Sequence, residues 1–253
     1  MPAAVTTLRE TATVPEAAAT EQQYILEAHG LHRVIGNDTI VNNISLSLCR
    51  GDALGLLGLN GAGKSTTLKM LCGMLVPDEG TVTVNGHSMS EQPLLTRAQI
   101  GFLPDQPPLY NDMRVSEYLR LCGQIRGLKG SALSARMTST IEQCSLGDVR
   151  KKLIATLSKG YRQRVGLAQA IIHQPALLLL DEPSNGLDPQ QLESMRKLIR
   201  NYAEEHAVVF STHLLAEAQT SCNRVAIIHD GKLITETSVN GADLVKLFHE
   251  AIT

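Results

Sequence analysis

This sequence has no excess of basic charge: 23 Lys and Arg stand against 25 Asp and Glu, for a formal net charge of −2 and a pI of about 6.4. A protein that grips nucleic acid by its phosphates carries a basic field, so no nucleic-acid partner is expected. Long apolar runs are also missing. The longest, Ala176 to Leu180, falls far short of the roughly 20 residues a membrane helix requires, so nothing here is expected to span a bilayer. The five cysteines, Cys49, Cys72, Cys122, Cys144 and Cys222, form no C-x-x-C pair. An odd, scattered set without a signal peptide reads as reduced thiols in a cytosolic compartment. Residues 1–23 are rich in Ala and Thr and contain neither a charged n-region nor an apolar h-region, so they read as a disordered tail and not a targeting segment. No internal repeat is evident. At 253 residues the chain has room for roughly one or two domains and a sizeable core.

What is present is a phosphate loop. Gly58 to Ser65 fits the pattern G-x-x-x-x-G-K-[ST]. Its glycines allow close backbone approach, its lysine brings charge, and its hydroxyl suits magnesium. The pattern counts only where a strand enters and a helix leaves, so that free N–H groups at the helix start point at phosphates. Upstream, Asp52 to Leu57 is a short apolar run of strand length. Downstream, Leu68, Met70, Leu71, Met74 and Leu75 recur at helical spacing, and Pro77-Asp78 is expected to end the helix. A nucleoside triphosphate is the implied ligand.

Around this loop the texture is α/β. Tyr24 to Leu48 holds short segments of β character, including Tyr24–Glu27 and Ile44–Leu48, separated by Gly36-Asn37-Asp38, and predicts an antiparallel layer. Thr81–Val84 alternates like a half-buried strand, and Asn85-Gly86 closes a hairpin. Between Asp105 and Lys152 the periodicity turns helical, with Val115, Tyr118, Leu119, Cys122 and Ile125 forming one apolar stripe. This predicts a helical subdomain, at about 106–154, inserted in the nucleotide-binding core. Ala176–Leu180 reads as a strand buried on both faces, ending in Asp181-Glu182-Pro183. Asp188 with Pro189 and Gln191 starts a helix expected to reach about Tyr202. A further strand, Ala207–Thr212, runs into His213, and Asp230-Gly231 marks a second hairpin.

Phosphoryl transfer needs positioning and charge neutralisation, and the residues supply both. Asn60, Gly61, Ala62, Gly63, Lys64, Ser65 and Thr66 form the candidate phosphate cradle. Lys64 would lie beside the β- and γ-oxygens, and Ser65 would ligate Mg²⁺. Asp181, at a strand end, is expected to anchor magnesium either directly or through a bound water. Glu182 beside it suits a general base on water, a role worth ~10²–10⁴-fold. His213 stands where ligands gather in open α/β sheets, at the carboxyl end of a parallel strand.

Leu157-Ser158-Lys159-Gly160-Tyr161-Arg162-Gln163-Arg164 resembles the LSGGQ signature of ATP-binding cassette (ABC) ATPases. The order of phosphate loop, helical insert, signature, Asp181-Glu182, Gly186-Leu187-Asp188 and His213 is that family's order from Tyr24 to Gly231. The resemblance implies a P-loop NTPase fold of ABC type over 24–253, with ATP and Mg²⁺ as cofactors. It also implies a head-to-tail pair with a second copy or a paralogous ABC ATPase. In such a pair Ser158 and the Gly160 N–H face the γ-phosphate in trans. Asp188 resembles the aspartate linking the two sites, a reading compatible with a helix cap, and His213 resembles the γ-phosphate-sensing switch.

Three departures stand out. Ile35 occupies the position where an aromatic usually stacks on adenine. Asp105, not Gln106, aligns with the glutamine that reaches the magnesium-bound water, and either side chain could reach it. Lys159 and Tyr161 replace the second Gly and the Gln of the common signature. Leu103-Pro104-Asp105 followed by Pro107-Pro108-Leu109-Tyr110 is similar to the exporter branch whose permease is a separate chain. This implies an integral membrane permease as partner and a peripheral place on the cytoplasmic face of the cell membrane. The surface expected to meet the permease is Pro107 to about Arg126. Two alternatives remain open at this point: a soluble ABC ATPase acting on nucleic acid or ribosomes, and a nonenzymatic nucleotide-gated regulator.

Overall fold

The computed structural model describes residues 23–252, and the expected tail at 1–23 lies outside that range except for its last residue. The chain opens with a long hairpin, β1 (Tyr24–Ile35) and β2 (Asp38–Cys49). Each strand has 12 residues, where the sequence suggests only short segments. Pairing carries the strands through their less apolar middles, with register shifts between Ala28 and Leu31, at left-handed Gly30 (φ 60°), and again around Arg33. Next come β3 (Ala53–Leu57) and α1 (Lys64–Leu71). The helix stops six residues before Pro77: Gly73, at φ 69°, turns the chain out, and Met74 is exposed.

Then β4 (Glu79–Val84) pairs with β5 (His87–Ser88) across Asn85-Gly86, both left-handed at φ 47° and 76°, as a two-residue hairpin turn demands. A short helix, α2 (Pro93–Ala98), leads to β6 (Ile100–Leu103). Two helices follow, α3 (Val115–Ile125) and α4 (Gly130–Gln143), before α5 (Lys159–Ile171). On α3, Val115, Tyr118 and Leu119 are buried as the stripe predicts, but Ile125, the last helical residue, is 74% exposed.

The remaining elements are β7 (Leu177–Leu180), α6 (Pro189–Ala203), β8 (Ala207–Thr212), α7 (Leu215–Ser221), β9 (Arg224–His229), β10 (Lys232–Ser238) and α8 (Leu244–Ile252). Two sheets result, ordered β2-β1-β4-β5 and β10-β9-β3-β8-β7-β6. The first is antiparallel. In the second, β9, β3, β8, β7 and β6 run parallel and only β10 is antiparallel to its neighbour, across the left-handed pair Asp230-Gly231.

β3 and β7 are buried at every position, which explains their unbroken apolar sequences. One core joins β1, β2 and β4 to α1 and one face of the parallel sheet. Another joins α3, α4, α5 and α6 to the opposite face. At about 25 cal/mol per Å² of apolar surface removed from water, these two layers clamp the sheet between them. The parallel strand ends are thereby held in fixed positions relative to one another.

Candidate functional site

The parallel register puts four strand ends side by side. Leu57 of β3 pairs with Thr212 of β8, Leu180 of β7 with Phe210, and Leu103 of β6 with Leu180. Each strand then releases its candidate residues at the same edge: the phosphate loop after β3, Asp181 and Glu182 after β7, His213 after β8 and Asp105 after β6. This is the crevice where ligands bind in open α/β sheets.

The phosphate loop is built by its glycines. Gly61 and Gly63 adopt φ 85° and 101°, a region closed to most L-residues. A Cβ on Gly63 would also stand 2.6 Å from the Ile40 carbonyl oxygen of β2. The hairpin layer therefore presses directly on the loop. Lys64, the first residue of α1, is 5% exposed, and its Nζ donates to the carbonyls of Gly58 (2.8 Å) and Leu59 (3.0 Å). Burial lowers its pKa, opposed in part by the charges of Glu182 and Asp181.

Asp181 is 5% exposed and lies at the centre of a hydrogen-bonded chain. The Ser65 hydroxyl donates to Asp181 Oδ1 at 2.9 Å, and the Ser211 hydroxyl donates to the same oxygen at 2.7 Å. Ser211 in turn accepts from the Glu182 N–H at 2.9 Å. Glu182 has φ 45°, unusual for a residue with a Cβ and costing of order 1–3 kcal/mol. Its Oε2 is 3.0 Å from His213 Nδ1, so the strained residue is held from both ends. The Ser65 hydroxyl and the Asp181 carboxylate offer adjacent oxygen donors of the kind a hard cation takes. Among the described residues no three His, Cys, Asp or Glu gather as a metal cage. Such a donor pair suits an ion whose coordination is completed by phosphate and water.

Asp105 accepts from the Asn185 side chain at 3.2 Å, which ties the loop after β6 to the loop after Glu182, whereas Gln106 is exposed. Ile35 is half exposed at the tip of the first hairpin.

Ser158, Gly160 and Asp188 belong to a second group. Ser158 caps α5, and its exposed hydroxyl oxygen lies 3.5 Å from the Tyr161 N–H. Gly160 is buried under Gln191, whose Oε1 would be 2.1 Å from a Cβ at that position. The Lys159 side chain lies over Gly186. Asp188 caps α6 by accepting from the Gln191 N–H at 2.8 Å, so the capping geometry is present. The starts of α5 and α6 are thus packed together, and no hydrogen bond joins Ser158 or Gly160 to the phosphate loop of the same chain.

Sequence reasoning missed Ser211. Its only local signal is a pair of hydroxyl residues, Ser211-Thr212, closing an otherwise apolar strand immediately before a histidine.

A lysine- and serine-bearing phosphate loop beside an aspartate–glutamate pair at the neighbouring strand end defines a P-loop nucleoside triphosphatase. The sequence profile of the ABC transporter family matches residues 41–185. The linearmycin resistance ATP-binding protein LnrL of Bacillus subtilis (strain 168) is 34% identical over 211 residues, 83% of this chain and 68% of that protein. The lantibiotic transport ATP-binding protein SrtF of Streptococcus pyogenes is 31% identical over 230 residues, 90% of this chain and 97% of that one. A solved structure described as the ATP-binding subunit of an ABC transporter superposes with a TM-score of 0.81 at 29% identity, covering 90% of this chain and 99% of that one. The chain belongs to the ABC transporter family and is an ATP-binding, ATP-hydrolysing subunit of that type.

Proposed function

We propose that this subunit powers export through separate integral membrane permease subunits, on the cytoplasmic face of the cell membrane. The observation that carries the reading is the division of its functional residues. Lys64, Ser65, Asp181, Glu182 and His213 form one hydrogen-bonded and electrostatic group, while Ser158, Gly160 and Asp188 stand apart at the starts of α5 and α6. Each chain then supplies half of two sites. Two copies, or this chain and a paralogue, close head to tail, with Ser158 and the Gly160 N–H of one meeting the ATP on the other's phosphate loop.

In this site the N–H groups from Asn60 to Thr66 bind the phosphates and Lys64 leaves its carbonyl partners for the β- and γ-oxygens. Ser65 and Asp181 would hold Mg²⁺, with Asp105 or Gln106 as a further polar contact beside it, and the ion would supply charge neutralisation for the phosphates. Glu182 takes a proton from the attacking water, and His213 holds the carboxylate in place through Oε2. Asp188 links the two halves. Closure and hydrolysis move the permease through the segment from Pro107 to Arg126, part of the helical subdomain at 106–154, where Tyr110 and Ile125 present exposed apolar surface. Among the described residues no helix is long and apolar enough to cross a membrane, and the pore belongs to the permease. A relative named a Nod factor export ATP-binding protein, 34% identical over 232 residues, supports the export direction.

The test is Glu182→Gln. Phosphate release is expected to fall at least 100-fold, while ATP binding persists and a dimer accumulates with ATP in size-exclusion chromatography. Wild-type phosphate release in this variant would remove Glu182 from the base role.

A further inference from the structure

One buried carboxylate takes no part in the mechanism above. Glu217, on α7, is 3% exposed, and among the described residues no Lys, Arg or His lies within ion-pair distance of it. A buried carboxylate without a counter-ion survives only when strong hydrogen bonds replace its hydration. Glu217 has two. The Ser184 hydroxyl donates to Oε1 and the Thr212 hydroxyl donates to Oε2, so each carboxylate oxygen has a hydroxyl partner. The Thr212 oxygen also accepts from the Leu214 N–H at 3.0 Å, which directs its own hydrogen toward Glu217.

Those two donors are placed with consequence. Ser184 is two residues past Glu182, and Thr212 immediately precedes His213. The single carboxylate of Glu217 therefore clamps together the two loops that carry Glu182 and His213, whose side chains meet at 3.0 Å. Glu182 needs such support, because its left-handed backbone (φ 45°) persists only where the surroundings over-determine it.

We infer that Glu217 is a positioning residue for hydrolysis: by holding Ser184 and Thr212 at once, it sets the distance and direction between Glu182 and His213. The inference rests on the roles proposed above for those two residues. A misplacement of about 1 Å at a reacting group costs up to about 100-fold in rate, which sets the scale of the effect.

The experiment measures steady-state ATPase activity, affinity for a fluorescent ATP analogue, and thermal melting of the full-length protein. The variants are Glu217→Gln, His213→Ala and the two combined. Glu217→Gln is expected to lower kcat about 10- to 100-fold while KM and nucleotide affinity stay within about threefold. In the His213→Ala background, adding Glu217→Gln is expected to cost less than about threefold more, because both changes remove the same contact. A purely structural role would multiply the two losses, or depress melting and binding while the folded protein kept its kcat; either result overturns the inference. If Glu217→Gln does not fold, Ser184→Ala, which removes one of the two bonds, takes its place under the same criteria. A wild-type rate in His213→Ala would instead refute the proposed role of His213, and the kcat of Glu217→Gln alone would then decide whether Glu217 positions Glu182.

Discussion

Ser211→Ala is the most direct probe of how the site is held. The Ser211 hydroxyl is fully buried, donates to Asp181 Oδ1 at 2.7 Å and accepts from the Glu182 N–H at 2.9 Å. Removing it deletes a hydrogen bond to an ionised group, worth about 1.5–3 kcal/mol. It also leaves a part-buried N–H without its acceptor, at about 1–3 kcal/mol. Because Glu182 can relax from its strained backbone once released, part of that cost is recovered. The expected net loss is about 3 kcal/mol. For a chain of this size each kcal/mol moves Tm by about 2–4 °C, so the melting midpoint should fall by about 6–12 °C. Circular dichroism during a thermal ramp measures it. The control is Ser194→Ala on the exposed face of α6, where the hydroxyl bonds only the Gln190 carbonyl within its own helix and the loss should stay within about 0.5 kcal/mol. Phosphate release by Ser211→Ala should also drop, since both carboxylates lose a shared anchor. If the two variants melt within about 2 °C of each other, the Ser211 hydroxyl does not hold the Asp181–Glu182 turn.

Three further outcomes are expected. Ser158→Arg places a bulky cation at the exposed start of α5 and should abolish hydrolysis while ATP still binds; unchanged turnover would refute contact in trans. Gly63→Ala combines a forbidden φ of 101° with a 2.6 Å approach to Ile40 O, and should cost at least about 2 kcal/mol in urea unfolding together with ATP affinity. Wild-type stability would show that the hairpin yields at that point. His173 is held largely neutral, with its pKa pushed down from 6.5 to about 4, first by burial and then by the positive charge of Arg126. The folded value lies below the unfolded one, so protons favour the unfolded chain. This contribution is present in full above pH 6.5 and is lost as pH falls toward 4, by about 3 kcal/mol in total. His173→Gln should flatten the urea-derived stability profile in that window, and a parallel profile would exclude His173 as the source.

The legible parts of this protein are those with local causes. The phosphate loop is a run of adjacent residues whose glycines and lysine act within one turn, so its pattern reads directly from Gly58 to Ser65. The hairpins at Asn85-Gly86 and Asp230-Gly231 are likewise two-residue events, and both adopt the left-handed pairs such turns require. Where apolar spacing competed with another signal, reading by pattern went astray. The apolar spacing through Met74 and Leu75 suggests a longer α1, but Gly73 ends it. The first hairpin outruns its β-like segments because pairing with a neighbouring strand supplies order that its own side chains do not.

By itself the sequence determined the class of chemistry: which residue types stand at the strand ends, and that their pattern suits a triphosphate. Only the tertiary structure decided how those residues hold one another. Ser211 reaches Asp181 across 30 positions, and Glu217 reaches Ser184 across 33. Such contacts arise from the parallel register of β7 with β8 and from the burial that forces each polar group to find a partner, and neither is written in any local stretch of the chain.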